Sequence, residues 1–149
     1  MSRWTDPDKW KSKSFRKRTP QQKLVLFYIK DMCNNAGFIE FDPEDCAFRT
    51  GLQLGVVEKA FEELSDVMDS DGDWHYLREF LAEQRNLPLR NNNNAHGSII
   101  RLITEMKNKF PKVYKELILA NGLDKPVERK KKPMDKSNYD SVDARGAMR

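Results

Sequence analysis

A chain of 149 residues and 17.5 kDa, 38% hydrophobic and 34% charged, supplies apolar material for one modest core, so one domain with polar tails is expected. No apolar run approaches the roughly 20 residues of a spanning helix, and the opening MSRWTDPDKW has no signal-peptide core, which points to a soluble, cytoplasmic protein without membrane contact. The net charge of +4 is unevenly placed: residues 1–30 carry +7, 31–83 carry −11, 84–123 carry +5 and 124–149 carry +3. Any attraction to nucleic acid must come largely from the flanks, because phosphate contacts supply most non-specific affinity. The alternative is that the tails are merely solvated.

Residues 1–18 read as a basic arm whose aromatics, Trp4, Trp10 and Phe15, suit anchorage on a core better than free coil. Its cations Lys11, Lys13, Arg16, Lys17 and Arg18 either follow a phosphate backbone or solvate the arm. Residues 19–84 read as the core. Thr19 caps a helix with Pro20 at its first position and Gln22 placed to close a capping box. Val25, Tyr28, Ile29, Met32 and Cys33 then share one face, widened by Leu24, Leu26 and Phe27. Asn34, Asn35 and Gly37 end that helix, and Phe38–Phe41 alternates as a short strand.

Residues 41–64 predict two short helices around a tight turn. Asp42 is an N-cap with Pro43 behind it, Gly51 supplies a left-handed stop, and Val57, Ala60, Phe61 and Leu64 keep the spacing of a buried helical face. A hairpin follows, its strands flanking Asp69–Asp73 with an Asp-Gly turn. The acids of that turn do not make an EF-hand, because counting from Asp69 the glycine is fourth and position twelve is Phe80. Arg78–Gln84 is either strand or short helix. The expected fold class is mainly α with a small β-hairpin: a winged helix-turn-helix with extra C-terminal helices.

Residues 85–123 form a helical extension. An asparagine-rich connector leads to Asn94, which can cap a helix carrying Ile99, Leu102, Ile103, Met106 and Phe110 at helical spacing, with Arg101, Glu105, Lys107 and Lys109 toward water. Pro111 interrupts it, Val113, Tyr114, Leu117 and Ile118 make a further stripe, and Asn121–Gly122 closes it. Residues 124–149 have little to bury and are expected to form a disordered basic tail containing Arg129, Lys130, Lys131 and Lys132.

Enzyme chemistry finds no support in the residues. Cys33, Cys46, His75 and His96 stand 13, 29 and 21 positions apart, which matches no compact zinc pattern. There is no phosphate-binding glycine loop and no serine elbow. The cysteines suit buried thiols, and no cofactor, metal or catalysis is expected.

The succession Asp8–Lys9–Trp10, Phe15, Thr19–Pro20–Gln21–Gln22–Lys23–Leu24, Tyr28–Ile29, Cys33–Asn34–Asn35–Ala36–Gly37–Phe38–Ile39–Glu40, Phe48, Gly51 and Glu58–Lys59–Ala60 resembles the N-terminal winged-helix domain of phage-encoded replication proteins, including replisome-organiser and DnaD-like initiators. Arg78–Gln84 and Asn91–Ile100 resemble the segment after the wing there, so the resemblance covers residues 3–103. It implies a DNA-binding module used in replication initiation or its regulation in the host cytoplasm.

Winged-helix proteins commonly read the major groove from the start of the second helix. The residues available there are Gln53, Gly55 and Lys59, with Arg49 and Thr50 at the preceding turn; Gln53 suits adenine and Lys59 guanine or phosphate. Glu58, Glu62 and Glu63 share that helix and repel phosphate, which restricts approach to its first turn. Two functions stay open: duplex-DNA binding helped by the arm and by Arg129–Lys132, or binding of a host or phage replication or transcription factor, or a second copy, by the acidic face.

Overall fold

The computed structural model describes residues 2–126. A 3₁₀ turn, Pro7–Lys11, leads into α1 (Lys13–Arg16) and α2 (Pro20–Met32), followed by β1 (Phe38–Glu40), α3 (Pro43–Thr50), α4 (Leu54–Glu63), β2 (Met68–Asp71), β3 (Trp74–Leu77), α5 (Phe80–Glu83), α6 (Asn94–Glu105) and α7 (Pro111–Tyr114), which runs on into a π-helical turn, Lys115–Leu119. The arrangement is mainly helical around one small antiparallel sheet.

Local chemistry explains most boundaries. The Thr19 hydroxyl accepts from the Gln22 N–H while Gln22 returns a bond to the Thr19 N–H, both at 3.2 Å, closing the capping box of α2. Asp42 Oδ1 accepts from the N–H groups of Glu44 and Asp45 at 3.0 and 3.2 Å and starts α3. Gly51 stops it at φ +76°, a conformation that costs glycine little. The cap of α6 is Asn93 rather than Asn94: its side chain accepts from the Ala95 N–H at 2.9 Å, one residue earlier in the asparagine run than periodicity indicates.

The three strands lie in the order β1-β3-β2, with Phe38 opposite Tyr76 and Ser70 opposite His75. The hairpin loop is Gly72–Asp73, since Asp71 pairs with Trp74; glycine therefore takes the first turn position, as a type II′ loop requires, instead of the second position of an Asp-Gly turn. Arg78–Gln84 resolves into the short helix α5.

Both faces of the sheet are covered. Alternation sends Ile39 and Leu77 to a core with Val25, Ile29, Val57 and Leu64 from the α2–α4 side, and sends Phe38 and Tyr76 to a second core with Ile99, Ile103, Phe110 and Ile118 from α6 and beyond. The α2 face is narrower than its periodicity suggests: Val25, Leu26, Ile29 and Cys33 are buried, whereas Leu24 and Met32 are exposed.

Candidate nucleic-acid interface

The α3–turn–α4 unit is built from the inside. Cys46, Val57, Ala60 and Leu64 are buried, and Phe41 stacks on Phe61 at 3.9 Å, which fixes the entry of α3 against α4. His75 packs edge-on against the same Phe61 ring at 4.8 Å, and its Nδ1 lies 2.7 Å from Ser70 Oγ. Burial holds the His75 imidazole below its ordinary pKa of 6.5. Tyr28 donates to Asp45 Oδ2 at 2.5 Å, tying α2 to α3; burial raises the phenol, and the bond from Tyr28 holds the Asp45 carboxyl below its usual range. Both cysteines are buried thiols pushed up by desolvation to about 11, so neither is a ready nucleophile.

The cations expected to meet DNA divide into engaged and free. Arg49 places Nε 3.0 and 2.9 Å from the two carboxylate oxygens of Asp45, one helical turn back. Thr50 donates to the Cys46 carbonyl at 2.6 Å and so serves the end of α3. Arg18 is a structural anchor: its side chain is only 11% exposed, paired with Asp66 at 2.6 Å and bonded to the Glu63 carbonyl at 3.2 Å, and it lowers the Asp66 pKa. Lys11 pairs loosely with Asp8 at 2.8 Å, both side chains in solvent. Lys13, Arg16, Lys17, Gln53 and Lys59 are exposed and make no ion pair among the described residues. Arg129, Lys130, Lys131 and Lys132 lie outside the described residues.

Of the three aromatics expected to anchor the arm only Phe15 is buried, Trp4 and Trp10 being exposed, and polar groups do much of the anchoring. Phe15 is buried, and Trp10 meets it edge-on at 5.1 Å while staying half exposed. Arg3 donates to the carbonyls of Lys30, Asp31 and Cys33 at the end of α2, and Trp4 and Gln84 exchange two hydrogen bonds of 2.7 and 2.8 Å. Because Arg18 holds the end of α4 and Gln53 starts it, the arm and the start of α4 sit at opposite ends of a ten-residue helix, about 15 Å apart by helical rise.

Two features weigh against a simple cationic groove. The hairpin tip carries Asp71 and Asp73, both exposed, beside Gly72. Phe48, two residues past buried Cys46 on α3, is 88% exposed, with Leu54 and Val56 also exposed at the start of α4. The sequence signal for Phe48 was its spacing: position 48 falls off the helical face that buries Cys46. Among the described residues no helix is long and apolar enough to cross a membrane, and no group of three or more His, Cys, Asp or Glu is placed to hold a metal ion. No family model, curated protein or solved structure matches the chain.

Proposed function

We propose that the chain is a winged-helix protein that binds duplex DNA and acts in the initiation of phage DNA replication or its regulation. The observation that carries the reading is the element order α2-β1-α3-α4-β2-β3 with strand order β1-β3-β2, in which α4 follows a glycine turn and a hairpin follows α4, the order expected of a winged helix. Gln53 at the N-cap of α4 and Lys59 in its second turn are exposed without ion pairs among the described residues, and Lys13, Arg16 and Lys17 add phosphate contacts near the other end of the helix. Arg49, Thr50 and Arg18 position these elements and stay with their protein partners.

A second reading rests on exposed Phe48 on α3 and on exposed Leu54, which shares a stripe of α4 with Glu58 and Glu62: an acidic surface carrying exposed apolar side chains suits a protein partner, such as a replication factor. Anisotropy titrations on a random-sequence duplex at graded salt separate the two. DNA binding predicts a steep loss of affinity with salt, weakening by Lys59→Glu, and a salt slope reduced by about 1 for each of Lys13, Arg16 and Lys17 removed. Absence of any binding at about 50 mM salt sinks the reading.

A further inference from the structure

We infer that the corner between α6 and α7 is a second phosphate-binding surface, sequence-independent and separate from α4. Arg101 on α6, Lys107 and Lys109 in the connecting turn, Lys112 on α7 and Lys115 just beyond it are all exposed. Glu105 and Glu116 are the only acids in residues 84–123. The one ion pair among these groups, Lys112 with Glu116, spans 4.0 Å between side chains 83% and 63% exposed, so it leaves the positive charge open to solvent.

These cations are held on a packed support. Ile99, Ile103, Phe110, Val113 and Ile118 are buried around them and lock both helices onto Phe38 and Tyr76. The sheet stands between this corner and the core formed by α2, α3 and α4, so the corner belongs to a different face of the molecule from the start of α4. The intervening segment 31–83 carries −11, which turns an approaching polyanion toward this layer and the arm.

The surface chemistry selects a nucleic-acid backbone over a protein. No large apolar side chain is exposed between Arg101 and Glu116, and a protein interface needs a desolvated apolar centre that phosphate contacts do not. A membrane surface is disfavoured on the same ground, since exposed Leu119, one turn past Lys115, is a single apolar side chain and too little for the headgroup boundary.

The inference is separable from the proposed role of α4 by measuring two variants of the full chain in parallel, Lys107→Ala/Lys109→Ala/Lys112→Ala and Gln53→Ala/Lys59→Glu, on single- and double-stranded DNA of random sequence. Circular dichroism checks that both remain folded. The triple variant is expected to have a log K against log salt slope shallower by about 2.7 on duplex, roughly 0.9 per lost phosphate contact, and a weaker grip on single strands. An unchanged slope overturns the corner whatever the α4 variant does, while an α4 variant that binds like wild type overturns only the role of α4. Two further results also overturn it: a triple variant that keeps the DNA slope but no longer self-associates in sedimentation without DNA, or one that keeps the slope but loses retention on phosphatidylserine vesicles.

Discussion

The two helical layers use the same sheet in opposite electrostatic ways. On the α2–α4 side acids pair with four cations, Arg18 with Asp66, Arg49 with Asp45, Lys30 with Glu83 and Arg78 with Asp69, and leave Lys59 and the arm's Lys13, Arg16 and Lys17 without an ion pair among the described residues. On the α6–α7 side five exposed cations face two acids, and only the 4.0 Å pair of Lys112 with Glu116 forms among the described residues. Apolar spacing therefore decides how both layers fold, and the placement of acids decides which of their cations remain open to a partner. A lysine or arginine on an exposed helix is a candidate contact only after its neighbours one turn away have been checked.

The largest effect is expected where the layers meet. Phe38 is 1% exposed, and its ring lies 4.8 Å from Tyr76 and 5.3 Å from Phe110. Phe38→Ala should cost about 3–5 kcal/mol in urea unfolding, a large part of the stability of a small domain. Hydrogen exchange on the variant should show α6 losing protection before α2. A cost under about 1 kcal/mol would mean that the α6–α7 layer is joined to the sheet by something other than this ring.

A smaller effect separates the layers by pH. His75 lies on the α2–α4 face, and its folded pKa is below 6.5, so the unfolded chain binds its proton more tightly. The stability from keeping it neutral is complete above 6.5 and is lost as pH falls from there to the folded value, with a slope that cannot exceed about 1.4 kcal/mol per pH unit. Asp66 and Asp45 act in another window: their pKa values are lowered from 3.8, so their contribution is lost only on acidification below that value. Urea midpoints between about pH 7.5 and 5.5 should fall for the wild-type chain and flatten in His75→Phe. Equal slopes in both proteins would remove His75 from this role.

How much of this is legible in the sequence depends on the range of the interaction. Thr19 with Gln22, Asp42 with Glu44 and Asp45, and Gly51 act within a single turn, and their sequence pattern predicts them directly. The buried spacing of Val57, Ala60 and Leu64 is equally direct. Arg18 is different, because its partner Asp66 lies 48 positions away and a run of five arm cations gives no sign that one of them is anchored. Arg49 was readable, since Asp45 is four residues back, the spacing of a helical ion pair. The double-sided sheet was hidden for another reason: Phe38 and Tyr76 alternate with Ile39 and Leu77, so each short strand is apolar on both faces and does not say what covers the second one.

The smallest stability effect carries the sharpest test of the proposed division between the two layers. Phe48 is 88% exposed, so Phe48→Ser should change unfolding free energy by less than about 0.5 kcal/mol. The substitution removes no cation, and the salt slope of duplex binding should stay that of the wild type. Sedimentation of the two proteins without DNA should also coincide if the α3–α4 face is reserved for the groove. A wild-type chain that self-associates and a Phe48→Ser chain that does not would make that face an interface between copies, leaving the arm and the α6–α7 corner as the surfaces proposed for nucleic acid.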